Sequence, residues 1–510
     1  MKQILYILAT LFLAAGCGPE TSEQTEAVAL SVDRTSLEFA AEGGEQKLDV
    51  TASEQIYVVP GETWLTYKKG ATNGNVTEIT LTAAENTRTQ ERTTRVSVVA
   101  GDEKIYVDVL QDAAEETQGG ENGGNASTVV PENNGNVAWK IAEFIGLGWN
   151  LGNQFDAHNN GVSGETFWGN PKATQTTFNK VKAAGFKTVR IPVTWLGHIG
   201  EAPDYKIEEA WLDRIAEVVG YAEKAGLNVI LNMHHDGADS KHWLNIISAS
   251  RNEEVHQQIM QQIDAMWTQI AQKFIDKGDF LMFEAFNEIH DGDWGWGANR
   301  TDGGKQYACF NQWNQVFVDA VRETGGNNAE RILGIPAYCT NIDIAIESFV
   351  MPEDKAEGRL MMSVHSYDPY DYALAAKKSE WGHTADASKK CSGDNEADMK
   401  KLFEKIYSNY VSKGVPVYLG EFGCVNRATE REQLFQQYYF KYFAKLAKTH
   451  GVPAVLWDNG AKGAGEEKHA FIDHGTGEYC STGAQYAIQA LIGSYNSILT
   501  LEDVYRNAPN

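Results

Sequence analysis

The chain has 510 residues, 42% hydrophobic and 22% charged; these are ordinary values for globular domains and exclude wholesale disorder. At roughly 150 residues per domain, the length holds three domains, or two if one is a large barrel. Lys and Arg number 44 against 69 Asp and Glu, a formal net charge of −25, which excludes a general affinity for nucleic acid or anionic lipid because both need basic surface.

Met1-Lys2-Gln3 is a short basic start, and Ile4 to Ala15 is the one long apolar run. It is shorter than the ~20 residues of a spanning helix, so it reads as a signal peptide over 1–16. A polytopic membrane protein is excluded. The run ends Leu13-Ala14-Ala15-Gly16-Cys17, which resembles the lipobox of bacterial lipoproteins. That resemblance implies cleavage before Cys17, a lipid on its thiol, and a polar tether over 17–27. The lipid would be the only membrane contact; an ordinary secretory signal is the alternative. The other five cysteines, Cys309, Cys339, Cys391, Cys424 and Cys480, are an odd number. No CxxC spacing favours a zinc or redox motif. Incidental core thiols and a loop staple both stay open.

Residues 28–112 carry short β-type runs with turn residues between them, among them Val28 to Val32, Lys47 to Val50, Ile56 to Val59, Glu78 to Thr82, Thr94 to Val99 and Lys104 to Leu110. Seven or eight such runs predict an antiparallel, immunoglobulin-like sandwich, with Trp64 as its core aromatic and Gln111 closing the last strand. The pattern resembles the BACON domain of Bacteroidetes surface proteins, a name that proposes carbohydrate binding. A spacer role is favoured, because Tyr57, Tyr67 and Tyr106 are the few other aromatics and alternation would bury some of them. Residues 113–131 are rich in Gly, Asn, Glu and Thr and form a flexible linker.

From 132 to 506 apolar β runs alternate with amphipathic helical runs. Strands are predicted at Phe144 to Trp149, Thr188 to Pro192, Asn228 to Met233, Phe280 to Phe286, Ile332 to Pro336, Met361 to Val364, Pro416 to Leu419 and Ala454 to Leu456. Helical patterns between them include Thr174 to Ala184, Ala210 to Ala225, Glu253 to Asp276, Ala397 to Ser412 and Glu430 to Thr449. This alternation is the α/β pattern of a (β/α)8 TIM barrel. Gly146-Leu147-Gly148 lacks a correctly placed third glycine, so a dinucleotide site is not supported.

In such a barrel the site gathers at the C-terminal strand ends. Those ends carry Arg190, Asn232 to Asp236, Glu284 to Glu288, His365 to Tyr367, Gly420 to Gly423 and Trp457 to Asn459. Glu288 on strand four and Glu421 on strand seven face one another. Glycosidic cleavage needs such a pair, one carboxyl protonated and one ionised. Adjacent strand residues point to opposite faces, so His234 and His235 chelate one ion only if the strand has ended; metal catalysis is set aside.

Asn287-Glu288 after an apolar strand, with Glu421 in Leu-Gly-Glu-Phe-Gly, is similar to glycoside hydrolase family 5. Gly148 to Asn153, Arg190 to Trp195 and His234-His235 resemble its subfamily 4. By that resemblance Glu288 is the acid/base and Glu421 the nucleophile of a retaining endo-β-1,4-glucanase. Arg190 and Tyr367 would bond Glu421, and His365 would sit beside Glu288. Asn287 would bind the sugar 2-hydroxyl, His234 and His235 would line the cleaved sugar's subsite, and Trp457 would stack under that sugar. Glu288 is expected to be raised by apolar surroundings and the charge of Glu421. The implied substrates are xyloglucan, mixed-linkage glucan or cellulose-type chains; no cofactor is implied, and a monomer is expected. The implied place is the outer membrane, facing outward because a long glucan does not readily enter the periplasm. A surface glycan-binding lipoprotein without catalysis would need one of the two Glu residues replaced.

Asp291 to Gly297 has a faint calcium-loop look without the EF-hand spacing. Its Trp294 and Trp296 are open between sugar platforms and loop packing, as are Trp168, Trp195, Trp243 and Trp381. Trp211, Trp267 and Trp313 lie on helical patterns and read as core.

Overall fold

The computed structural model describes residues 30–60, 64–86, 91–101, 103–113 and 131–509. The signal peptide over 1–16, Cys17, the tether over 17–27 and nearly all of the linker lie outside the described residues. Among those described, no helix is long and apolar enough to cross a membrane.

The N-terminal unit is all β. One four-stranded sheet runs Ser31–Val32, Gly44–Thr51, Val76–Ala83, Leu65–Asn73; the other runs Ser36–Phe39, Glu103–Gln111, Arg92–Ala100, Ile56–Pro60. Alternation along each strand turns one side inward, and Leu37, Phe39, Leu48, Val50, Val58, Ile79, Leu81, Val96, Val98, Val107 and Val109 fill the space between the sheets. One pair departs from the expected antiparallel order: Ser36–Phe39 runs parallel to Glu103–Gln111. Gln111 is buried, and its amide donates to the carbonyls of Ala40, Ala41 and Ala84. Trp64 is not the core aromatic. It packs half-buried at the rim with the Arg92 guanidinium 4.3 Å above its ring. Tyr67 and Tyr106 are exposed rather than buried, and they lie on different sheets.

The C-terminal unit is a closed barrel of parallel strands: Leu147–Asn150, Thr188–Ile191, Asn228–Asn232, Leu281–Glu284, Leu333–Pro336, Leu360–Ser366, Val417–Phe422 and Ala454–Leu456, numbered one to eight below. Helices Gln175–Ala183, Glu209–Ala225, Glu253–Lys273, Asn395–Asn409 and Glu430–His450 occupy the predicted segments, joined by Lys305–Glu323 and Thr482–Asn496. The predicted first strand began too early. Phe144 belongs to helix Val137–Ile145, whose N-cap Asn136 accepts the Trp139 N–H and which buries Ala138, Ile141, Ala142 and Ile145. Trp195 and Trp381 are fully buried core, as are Trp267 and Trp313, with Trp211 nearly so. Among the described residues the five remaining cysteines are free thiols, so the staple falls away.

The barrel interior is layered. At its base Ile230, Met282, Met361, Tyr418 and Val455 pack on Ile141 and Ile145. Above them comes a polar layer of Asn150, Arg190, Asn232, Glu284 and Ser363, all buried. Gly334 admits the Tyr418 hydroxyl to that layer, since a Cβ there would stand 2.5 Å from it.

Candidate active site

Arg190 projects inward from strand two and is wholly buried, so its charge needs partners. Nε donates to Glu284 Oε2 at 2.7 Å, Nη1 to Glu421 Oε1 at 2.8 Å and Asn150 Oδ1 at 3.1 Å, and Nη2 to Asn287 Oδ1 at 2.8 Å. Glu284 received no role from the sequence. It accepts two further hydroxyls, Ser363 Oγ at 2.7 Å and Tyr418 at 2.5 Å, and Asn232 Nδ2 at 2.9 Å. Burial pushes the Glu284 carboxyl up, but Arg190 and these donors hold it below its ordinary value. The signal was a lone acid closing the apolar strand Leu281-Met282-Phe283-Glu284.

Above this layer stands the carboxylate pair. Glu421 is the penultimate residue of strand seven, where the register shifts at Gly420 and sets Glu421 beside His365 of strand six. A Cβ on Gly420 would lie 2.9 Å from both His365 Nε2 and Ser363 Oγ, so the close approach requires glycine. Besides Arg190, Glu421 accepts the Tyr367 hydroxyl on Oε2 at 2.8 Å. Glu288 Oε1 meets His365 Nδ1 at 2.7 Å and the Thr340 hydroxyl at 3.4 Å. One oxygen of Glu288, one of Glu421 and a ring nitrogen of His365 all lie within 4.8 Å of one another.

The expected elevation of Glu288 is reversed. Burial pushes it up, yet the hydrogen bond and charge of His365, then the charges of His290 and Arg190, hold it below its ordinary value. A pH profile checks this. If Glu288 is the proton donor that the resemblance implies, its protonation sets the basic limb of kcat/KM. His365→Gln removes the main lowering influence and leaves burial, so the limb is expected to move to higher pH while the rate falls. A basic limb that stays put or moves down contradicts this account of Glu288.

His234 and His235 do not point to opposite faces. Strand three ends at Asn232, and the two rings meet edge-to-face with centroids 4.5 Å apart. His234 Nε2 lies 3.8 Å from Glu421 Oε1. Burial, then His235, Arg190 and His365, push its imidazole well below its usual range, so it is neutral near pH 7. A ligand atom from each of Asp156, His234 and His235 falls within 4.8 Å of the others. The Asp156 carboxylate, however, accepts the backbone N–H groups of Asn153 and Gln154. Trp457 lies parallel to His234 at 6.0 Å, the two planes 6° apart. Asp291, in the loop with the calcium look, accepts the N–H groups of Asp293 and Asn299. Among the tryptophans left open, Trp168, Trp294 and Trp296 are exposed at the barrel mouth, and Trp243 is half-buried with its indole N–H on Asp236. Asp236 is pushed up to about 6 by burial, against the N–H groups it accepts from Trp195 and Trp243. Thus Glu288, Glu421, Arg190, Asn287, His365, Tyr367, His234 and Trp457 converge at one end of the barrel; His235 stands beside His234, its Nδ1 on the Asp156 carbonyl.

The model of the cellulase family, glycosyl hydrolase family 5, matches residues 152–463, and that of the BACON family of N-terminal domains matches 36–112. A xyloglucan-specific endo-beta-1,4-glucanase of Bacteroides ovatus is 30% identical over 480 residues, 90% of this chain and 92% of the relative. A solved GH5-4 broad specificity endoglucanase from Bacteroides salanitronis is 52% identical, covers 74% of this chain and 100% of its own, and superposes with a TM-score of 0.70. A Bacteroidetes-affiliated GH5 cellulase linked with a polysaccharide utilization locus is 48% identical over 73% of this chain and 97% of its own, with a TM-score of 0.71. The chain belongs to glycosyl hydrolase family 5 and carries an N-terminal BACON domain.

Proposed function

We propose that the protein is a retaining endo-β-1,4-glucanase of subfamily 4 type. The observation that carries this reading is the closeness of Glu288 and Glu421, an oxygen of each within 4.8 Å of the other. Retaining pairs stand about 5–5.5 Å apart, whereas inverting pairs need roughly 6.5–9.5 Å to admit a water. Glu421, fixed by Arg190 and Tyr367, attacks the anomeric carbon. Glu288 gives its proton to the departing oxygen, then takes one from the water that frees the glycosyl-enzyme. Formation of the ester removes the Glu421 charge, which lowers the proton affinity of Glu288 and suits it to the second step. Asn287 has its Oδ1 on Arg190, and its Nδ2 donates to the sugar 2-hydroxyl. Trp457 and His234 bound the cleaved sugar.

The substrate is a β-1,4-linked glucan. Relatives named for xyloglucan, for broad specificity and for cellulose support that class together. The lipobox-like run at Cys17 supports an outer-membrane lipoprotein, and the utilization-locus relative supports exposure at the cell surface. The BACON domain serves as a spacer. Its exposed tyrosines share no face, and Tyr106 has the cations of Lys104 and Arg95 over its ring.

Initial rates on xyloglucan, barley mixed-linkage glucan and carboxymethyl cellulose test the reading, with Glu421→Ala as control. A xyloglucan rate about ten-fold above the others, or ~1.4 kcal/mol in transition-state binding, marks a dedicated xyloglucanase. Comparable rates mark a backbone-reading endoglucanase. No turnover on any of the three would end the proposal.

A further inference from the structure

A cavity of about 830 Å³ opens between the N-terminal ends of helices Glu430–His450 and Thr482–Asn496. None of its lining residues belongs to the carboxylate site. The loops after strands seven and eight close one end of it, and Asn426 ties them together. Its N–H meets the Lys468 carbonyl, its carbonyl takes the Gly465 N–H, and its Nδ2 meets the Ala470 carbonyl. The cavity is therefore built into the fold.

Its charged groups are already satisfied. Arg427 is 8% exposed and gives Nη1 and Nη2 to the carbonyls of Lys378 and Tyr372. Lys462 is paired with Asp473 at 3.0 Å. The two helix ends invite no anion either: Thr429 accepts the Glu432 N–H and Ser481 the Ala484 N–H. Glu430, exposed beside them, turns anions away. The neutral groups differ. Among the described residues the Gln437 amide and the Tyr486 hydroxyl make no hydrogen bond. Leu434 on one helix is 51% exposed and Tyr486 on the other 49%. Either alone is an ordinary surface residue. On two helices that line one uncharged, amide-bearing cavity, they offer a sugar an apolar face for its C–H groups beside partners for its hydroxyls.

We propose that this cavity is a second binding site for β-1,4-glucan, holding a few glucosyl units of the polymer outside the catalytic cleft. This rests on the endo-glucanase reading above. One loop joins the two places. Lys462, Gly463 and Ala464 line the cavity, and farther along Glu467 lies near the cleft, its carboxyl pushed up by burial and by the charges of Glu466, Glu421 and Glu288. A single polymer chain reaches both, so the cavity raises the effective concentration of glucan at the carboxylates without touching the bond that breaks.

The test uses the full chain. Native electrophoresis through gels containing barley glucan compares Glu421→Ala with the double variant Glu421→Ala, Tyr486→Ala. The expected result is about ten-fold weaker retardation in the double variant, with Tyr486→Phe retaining most of the binding. In the active chain Tyr486→Ala is expected to raise KM on barley glucan and hold kcat. The same variant should leave kcat/KM unchanged on 2,4-dinitrophenyl β-cellobioside, which is short enough to occupy the cleft alone. Equal retardation of the two variants overturns the proposal. So does a parallel loss on the aryl glycoside, which would place the effect of Tyr486 in the cleft or in folding. A parent that cleaves the aryl glycoside but no glucan overturns the endo-glucanase reading itself, whatever the gels show.

Discussion

Glu421→Ala is expected to lower polysaccharide hydrolysis by about 10⁴-fold or more, because the covalent route disappears with its nucleophile. The remaining cleft keeps Arg190 and Tyr367, which bound the lost carboxylate at 2.8 Å each, and so offers a small anion two donors. Sodium azide is therefore expected to restore turnover of 2,4-dinitrophenyl β-cellobioside and to yield the α-glycosyl azide, the product of one inversion. Glu288→Ala is expected to differ in kind. The aryl glycoside still forms its ester without acid help, and azide then releases the β-glycosyl azide after two inversions. NMR of the two azides assigns the carboxylates. If the anomers came out exchanged, the roles given to Glu288 and Glu421 would be exchanged too.

The second large effect concerns the layer beneath. Arg190→Met leaves Glu284 and Glu421 without their shared cation, and removing one partner of a buried ion pair typically destabilises by about 3–5 kcal/mol. The pH dependence follows from the sign of the Glu284 shift. In the parent this carboxyl is held below its ordinary value, so it contributes stability above the unfolded pKa that is lost as pH falls through the folded one. Without Arg190 burial dominates and raises the carboxyl. Its contribution then changes sign, destabilising near pH 7 and easing as acid protonates it. Calorimetric melts should show the variant further below the parent at pH 7 than at pH 5. Arg190→Met with Glu284→Gln should recover part of the stability and none of the activity. A loss independent of pH would separate Arg190 from the ionisation of Glu284.

The strand ends were legible in the sequence because catalytic side chains of a barrel must leave from them, and an acid or imidazole after an apolar β run is conspicuous. Arg190, Glu288, His365 and Glu421 stood out for that reason. The layer below them was not legible. Glu284 was visible as a residue, but its partners Ser363 and Tyr418 come from strands six and seven, and only the closed register brings them together. Phe144 and Ile145 were misread as strand because a short apolar run suits either period, and the cap at Asn136 decides for helix. Glu288 shows a third kind of failure. His365 was expected beside it, but burial and like charge are outweighed by the hydrogen bond and charge of His365 together with the charges of His290 and Arg190.

The division of Arg190 between two carboxylates bears on inhibitor chemistry. Glu284 is wholly buried beneath the carboxylate pair and holds the Nε donor of Arg190 at 2.7 Å. On the proposed mechanism Glu421, which shares that guanidinium at 2.8 Å, is oriented by Arg190 without being fully neutralised by it. The cleft therefore presents a negative potential to its contents, matched to a glycosyl cation rather than to a neutral ring. Iminosugars, whose ring nitrogen carries a proton, are therefore expected to bind more tightly than acidic sugar analogues of the same shape, which competitive inhibition constants would check.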